Sequence, residues 1–211
     1  MRPVTEATTT STAPPEATAS AATARARAKA DRRSTLLGAA TRLFAERGYP
    51  RVSLDDLGAA AGVSGPAVYR HFASKQAVLA AILIGASEGL RTEGRGVAAT
   101  APDDPIALAR LVAFHVDFAV NNPDVIRVQD RDRDSLADAD QHAVRLLQRE
   151  YVELWVDVLA RVRPDEPRDA LRTRVHATFG LLNSTPYSDR SGASGATRGS
   201  LERMALAALR S

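Results

Sequence analysis

Residues 52–75 have the sequence VSLDDLGAAAGVSGPAVYRHFASK, and the rest of the chain is organised around this stretch. Ser53 is followed by Asp55 and Asp56, which suits the start of a helix, because a serine oxygen can accept from free N–H groups and negative charge favours that end of the helix dipole. Gly62 supplies a residue that can turn sharply and end this helix. The first half of this stretch, residues 52–62, therefore predicts a short helix that begins near Leu54 and ends at a tight turn.

A second helix is predicted over residues 65–72. Ser64 caps it, and Pro66 falls in its first turn, where a missing N–H costs nothing. Val68 and Phe72 form its apolar face, so the outer residues are Gly65, Ala67, Tyr69, Arg70 and His71. Two short helices joined by such a turn are typical of a helix-turn-helix, and hydrogen-bond donors on the second helix suit a DNA groove and its phosphates.

Two further helices flank this pair. Between Asp31 and Gly48 the apolar residues recur at three- and four-residue spacing, which predicts a first helix and a three-helix domain. After Ser74 the apolar residues continue for several turns, and they predict a longer fourth helix that leaves the small domain.

Charge is concentrated in the same region. The chain has a net charge of +3, yet residues 24–75 contain ten Lys or Arg and four acids, whereas residues 76–211 have a net charge of −2. A basic N-terminal third on a near-neutral body is typical of a polyanion-binding domain joined to a domain that does not bind polyanions.

Residues 1–30 consist mostly of Ala, Thr, Ser, Pro and Glu, and no large apolar residue follows Val4. Such a segment cannot bury enough apolar surface to offset the entropy of ordering, so we expect disorder. Its basic end, over 25–33, could lie along a phosphate backbone or in a minor groove, or the whole segment could be a solubilising tail.

Several classes of protein are disfavoured by the composition. The chain has no cysteine, which excludes disulfides, thiolate zinc sites and cysteine nucleophiles. No apolar run is long enough to span a membrane and no signal peptide is recognisable, so we expect a cytoplasmic protein without membrane contact. The sequence has no glycine-rich phosphate loop, and its four histidines lack metal-binding spacing. We expect no enzyme activity, no metal and no cofactor.

About residues 34–83 resemble the N-terminal domain of the TetR family of transcriptional regulators. The resemblance rests on the apolar helix that ends at Phe44 and Gly48, on Ser53, on the AGVS turn over 61–64, and on YRHF followed by Ser74 and Lys75. It implies that five side chains contact DNA phosphates, namely Ser53, Ser64, Tyr69, His71 and Lys75. It also implies that the front of the recognition helix faces base edges with Gly65, Pro66 and Ala67.

The front of the recognition helix, residues 65–67, departs from the pattern of the family. Gly65, Pro66 and Ala67 offer almost no side-chain hydrogen bonds to bases, so sequence reading would depend on Arg70, the N-terminal arm, contacts to thymine methyl groups or DNA shape.

The remaining chain, 77–211, is predicted to be helical throughout because no segment alternates with period two, and the fold class is therefore all-α. In TetR-like proteins such a body binds a small effector and pairs two subunits through its last two helices. The candidates for that pairing are Arg172, Arg174, Leu182, Leu201, Arg203 and Ala208.

Aromatic and polar residues on inward stripes are candidates for an effector site: His115, Phe118, Tyr151, Trp155, Phe179 and Asn183. For each of them, position at helical spacing by itself favours the role of an ordinary core residue over that of a ligand contact. The polar run over 183–188 could meet a polar ligand group or only cap a helix. The resemblance to the family, together with the absence of an acidic cluster among the apolar residues, favours an acyl-type or other largely apolar metabolite over a cationic compound.

The sequence thus predicts three parts: a disordered, basic-ended tail over 1–30, a DNA-binding helix-turn-helix domain over 31–76, and an effector-binding and dimerisation domain over 77–211. The predicted function is a homodimeric repressor that binds a palindromic double-stranded DNA operator and is released by a small molecule. The alternative is an architectural or adaptor protein that binds DNA and has a filled, ligand-free body.

Overall fold

The computed structural model describes residues 15–188 and 195–211, and within these ranges all regular structure is helical. The predicted all-α fold is confirmed. The helices are α1 Pro15–Arg47, α2 Leu54–Ala60, α3 Gly65–Tyr69, α4 Lys75–Ala99, α5 Asp104–Asn121, α6 Pro123–Asp132, α7 Asp138–Val162, α8 Arg168–Leu182, α9 Thr185–Ser188 and α10 Gly195–Arg210. Two 3₁₀ turns, Tyr49–Arg51 and Arg133–Ser135, precede α2 and α7.

Helix α1 is longer than the sequence predicted. It begins at Pro15, so the expectation of disorder is wrong for residues 15–30, and the expected start near Asp31 is wrong as well. The physical reason is intrinsic propensity: this segment is rich in Ala with Arg and Lys, which favour a helix without any burial, and proline is well suited to the first position. The rest of the predicted tail, residues 1–14, lies outside the described residues.

The small domain has the predicted caps and turn. Ser53 accepts a hydrogen bond from the backbone N–H of Asp56 at 3.1 Å, and the Asp56 carboxylate accepts from the backbone N–H of Ser53 at 2.8 Å. Gly62 has a φ of +68°, a value that favours glycine. At Gly58 a Cβ atom would lie 2.9 Å from the carbonyl oxygen of Val63. The two helices can therefore pack this closely only with glycine at position 58.

The body is a bundle in which α4, α5, α7, α8 and α10 surround a second apolar core. Helix α4 joins the two parts, since Leu79 and Leu83 are buried in the apolar core of the helix-turn-helix domain and Leu90 packs against the core of the body. Although α4 contains several glycines, it is unbroken to Ala99. Gly94 has a packing role, because a Cβ atom there would lie 2.6 Å from the Tyr151 ring.

Helix α6 corrects the interpretation of the charged run QDRDRD. The alternating charges of this run, which covers 129–134, predict a solvated loop after a brief helix, but the helix continues to Asp132, whose side chain is only 3% exposed. Its ion-pair partner is the neighbouring Arg131, at 3.0 Å. The alternating charges concealed one buried carboxylate that sequence pattern alone does not reveal.

Candidate functional site

Helix α3 presents the predicted polar face to solvent. Tyr69 is 59% exposed, and Arg70 is exposed beside it. Ser64 lies at the N-cap position with an extended backbone, but its hydroxyl makes no capping hydrogen bond. The position of the predicted cap is right and the predicted side-chain bond is absent, which leaves this hydroxyl available to another acceptor or donor.

The front of α3 lies against the first turn of α2. A Cβ atom at Gly65 would collide with the carboxylate of Asp55 in that turn. Asp55 is exposed and this carboxylate is the flexible end of its side chain, so a larger residue at position 65 would require only that the Asp55 side chain move. Glycine at position 65 leaves the face that would meet base edges without a side chain.

Three of the predicted phosphate-binding side chains are already engaged or partly covered. The Lys75 ammonium donates to the carbonyl oxygen of Tyr49 at 2.9 Å and lies 4.3 Å from the centre of the Tyr49 ring. The Ser53 hydroxyl donates to Asp56 at 2.6 Å. His71 is half-buried, and its Nδ1 has no hydrogen-bond partner among the described residues. The first two groups stabilise the loop ends, whereas Ser64, Tyr69 and Arg70 face outward.

A basic groove separates α1 from α3. It is about 860 Å³ in volume and is lined by Lys29 and Arg32 of α1 and by Ala67, Arg70 and His71 on and just after α3, among others. One turn away, the Arg33 guanidinium stacks on the Phe72 ring at 4.8 Å. Because α1 extends through this segment, Lys29 and Arg32 are held beside the recognition helix, which the sequence did not predict.

A cavity of about 180 Å³ lies in the body between α4, α5, α6, α7 and α8. Five of the six predicted effector-site residues line it, namely His115, Phe118, Tyr151, Phe179 and Asn183. Trp155 is completely buried and does not line the cavity, but its ring lies 5.0 Å from that of Phe179. The remaining polar lining residues, Ser87, Gln129, Gln148 and His176, were missed, since polar residues on mixed helix faces give no distinct pattern.

His115 is the centre of this site. Its ring stacks on Phe179 at 4.7 Å, its Nδ1 lies 3.3 Å from the Tyr151 hydroxyl, and its Nε2 lies 3.1 Å from Oδ1 of Asn183. Burial disfavours the imidazolium and lowers the pKa of His115 to about 4, against the opposing effect of the hydrogen bond to Asn183. Burial also raises the pKa of the Tyr151 phenol. Both side chains are therefore neutral at pH 7.

The polar run over 183–188 serves mainly internal contacts. Besides the bond between Asn183 and His115, Thr185 donates to the carbonyl oxygen of Ala119 at 3.1 Å, and the Tyr187 hydroxyl donates to Asp130 at 3.2 Å. Most of these contacts join the run to other helices, and Asn183, which ends α8, is the one described residue of the run that also lines the cavity.

A three-helix domain with a helix-turn-helix, followed by a helical body that contains a cavity, defines a class of two-domain helix-turn-helix proteins. Residues 36–82 match the family model of bacterial regulatory proteins of the tetR family. The helix-turn-helix domain of this chain is therefore that of the TetR family of transcription regulators.

Known proteins agree with this assignment. The chain is 31% identical over 129 residues to the transcriptional repressor KstR2 of Rhodococcus jostii, an alignment that covers 61% of this chain and 63% of that one. It is 35% identical over 88 residues to the transcriptional activator FasR of Mycolicibacterium smegmatis, covering 42% and 40% of the two chains. These alignments span less than two thirds of either relative.

The fold similarity extends further along the chain. The crystal structure of a TetR-family transcriptional regulator from Bordetella parapertussis superposes with a TM-score of 0.76 and 25% identity, covering 84% of this chain and 93% of that one.

Within the described residues, no helix is both long and apolar enough to span a membrane.

Proposed function

We propose that the protein is a ligand-responsive, DNA-binding transcriptional regulator that works as a homodimer in the cytoplasm and represses transcription until a small, largely apolar molecule releases it. One observation carries the proposal: α6 lines the body cavity through Val125, Ile126 and Gln129, and the same helix is bonded to α1 of the helix-turn-helix domain through Arg131.

The DNA-binding part of the proposal is supported by charge and exposure. Tyr69, Arg70 and the free hydroxyl of Ser64 are exposed on and beside α3, and the basic groove adds Lys29 and Arg32 beside it. Phosphate contacts from such groups supply affinity and orientation, while base contacts supply specificity. Because Gly65 and Pro66 have no hydrogen-bonding side chains, we expect Arg70 and DNA shape to provide most of the discrimination.

A dimer is required because one short helix makes few base contacts, and two of them about one helical turn apart read a palindrome. Several of the residues predicted for the pairing surface already make contacts within a single chain. Leu182 and Leu201 are buried. Arg172 pairs with Glu153 at 2.8 Å, and Arg174 pairs with Glu166 at 2.6 Å. Two of the predicted residues, Arg203 and Ala208, are exposed on α10. The exposed faces of α8 and α10 also carry the small or apolar residues Ala177, Gly180, Met204 and Ala207. We assign the dimer contact to these faces.

Repression is the direction we propose, although one relative is named a repressor and the other an activator. In our mechanism the effector enters the body cavity and displaces α6. Since Arg131 connects α6 to the end of α1, this movement would change the orientation of α3 relative to its partner copy. The ligand must bind the released state more tightly than the DNA-bound state for this shift to occur.

Fluorescence anisotropy with labelled duplexes tests the proposal. Duplexes from the region upstream of the protein's own gene are compared with a shuffled duplex at physiological salt. A specific regulator should prefer one palindromic duplex by about a thousandfold or more. Equal binding to both duplexes would instead favour an architectural or adaptor protein, and the bare front of α3 is the observation that would then explain the lack of specificity.

A further inference from the structure

The cavity in the body is lined without formal charge. None of the described residues that line it is Asp, Glu, Lys or Arg. Transfer of an ion from water into such a site is strongly unfavourable unless an opposite charge meets it. The lining therefore disfavours both a carboxylate ligand and an ammonium ligand.

The hydrogen bonds of His115 determine which groups remain available to a ligand. Oδ1 of Asn183 can only accept, so the Nε2 atom of His115, 3.1 Å away, must carry the proton. Nδ1 then has a lone pair and accepts from the Tyr151 hydroxyl at 3.3 Å. The amide nitrogen of Asn183 has no partner among the described residues and remains a donor beside the cavity.

The rings around this donor are flat and nearly parallel. The planes of Tyr151 and Phe179 are 4° apart, and that of His115 is 16° from Phe179. The ring centres of His115 and Phe179 are 4.7 Å apart and those of Tyr151 and Phe179 are 5.5 Å apart, so these rings already stack on one another and leave no space for a ring between them. A planar ligand ring can stack only on an outer face of this group. The volume of about 180 Å³ is below the roughly 300–1,000 Å³ of most ligand sites, so the ligand is of about one ring in size unless side chains move.

We propose that this cavity binds an uncharged, ring-containing molecule whose carbonyl oxygen accepts a hydrogen bond from the amide nitrogen of Asn183. The inference rests on the proposed function for its regulatory meaning, but binding itself is measured on the protein without DNA. It also narrows the effector, because a free acid with an acyl chain would place an unpaired carboxylate against this lining.

Four probes of similar shape separate the possibilities: acetophenone, ethylbenzene, benzoate and benzylammonium. Binding is measured by isothermal titration calorimetry at pH 7, and the site is located by the indole N–H resonance of Trp155, the one tryptophan of the chain. Acetophenone should bind and shift this resonance. Benzoate and benzylammonium should bind at least about a hundredfold more weakly.

The variant Asn183→Leu tests the hydrogen bond. It should weaken acetophenone binding about tenfold, while ethylbenzene binding changes less than about threefold, which also shows that the cavity is intact. Should the variant not fold, the four probes on the unmodified chain still decide the question of charge.

The proposal is overturned if either ion binds as tightly as acetophenone, if no probe shifts the Trp155 resonance, or if a folded Asn183→Leu variant weakens both neutral probes equally. The proposed function and the proposed ligand class fail under different results. Ketone binding without any effect on DNA affinity would contradict the regulatory proposal alone. Specific DNA binding without ketone binding would contradict the ligand class alone.

Discussion

The guanidinium of Arg131 on α6 donates a hydrogen bond to the carbonyl oxygen of Phe44 in the last turn of α1. It also donates to the carbonyl oxygen of Ala45 at 3.2 Å and pairs with the buried carboxylate of Asp132. The last carbonyls of a helix lack partners within that helix and carry partial negative charge, so a cation binds there favourably. The body therefore holds the DNA-binding domain at the C-terminus of its first helix.

Replacing Arg131 should weaken the contact between the body and the DNA-binding domain. Arg131→Gln removes the cation from the α1 terminus and leaves Asp132 unpaired at 3% exposure. We expect the free energy of unfolding to fall by about 1–3 kcal/mol, at the lower end if solvent screens the Arg131 side chain, which is 44% exposed. We also expect DNA affinity to respond less to ligand.

Urea denaturation and ligand-dependent anisotropy measure these two effects. Arg133→Gln is the matched control, because this neighbouring arginine pairs only loosely, at 3.6 Å, with the exposed Asp134. Equal losses of stability in both variants would show that the α1 contact has no special role.

His115 should make stability depend on pH. Its pKa is about 4 in the folded protein and 6.5 in the unfolded chain, so the unfolded state binds more protons between these values. Neutral His115 therefore makes its full contribution to the free energy of unfolding above pH 6.5. This contribution, about 3 kcal/mol, is lost as the pH falls from 6.5 towards 4.

Urea titrations between pH 7 and pH 4 check this effect as a difference between variants, because carboxylates also titrate in this range. His115→Gln should flatten the pH dependence, whereas His142→Gln, which changes an exposed histidine of α7, should leave it as in the unmodified protein. A pH dependence unaffected by His115→Gln would mean that His115 is already solvated or charged in the folded state.

Local sequence rules predicted the helix-turn-helix well because its signals are local. The cap at Ser53, the turn at Gly62 and the start of α4 after Ser74 each depend on residues within a few positions. Likewise, the inward stripe of α7 follows from helical spacing, and its members Val144, Tyr151 and Trp155 are all buried.

Features that depend on contacts between distant residues could not be predicted. The roles of Gly94 and Arg131 depend on Tyr151 and Phe44, which are far away in the sequence. The assembly of His115, Tyr151 and Asn183 needs three helices to converge, so the sequence could nominate the residues but not their hydrogen bonds. The start of α1 departs from the prediction because the alanines of this segment favour a helix even without an apolar face to bury.

Two glycines should respond to the same substitution with opposite signs. Gly38 is exposed on α1 and a Cβ atom there would meet no atom within 4 Å, so Gly38→Ala should raise the free energy of unfolding by about 0.5–1 kcal/mol. Gly58→Ala places its Cβ 2.9 Å from a backbone oxygen and should lower it by about 1–3 kcal/mol. Thermal unfolding measures both, and a stabilising Gly58→Ala would show that α2 and α3 can separate at little cost.

The helical extension of α1 should contribute to DNA binding through charge alone. The double variant Lys29→Gln, Arg32→Gln removes two cations from the groove beside α3 and leaves the apolar core unchanged. If both bind phosphates, affinity for specific and random duplexes should fall together, and the slope of log K against log salt should become shallower by about 0.9 for each phosphate that is no longer neutralised. Anisotropy titrations at several salt concentrations give this slope.

Arg145→Gln is the matched control for the double variant. Arg145 lies on the exposed surface of α7, far from α3 in the chain, so removing its charge should leave the salt slope unchanged. If the double variant also kept the slope of the unmodified protein, the extension of α1 would be a solubilising segment. Phosphate binding would then depend on α3 and its flanking turns, because these carry the remaining exposed donors, Ser64, Tyr69 and Arg70.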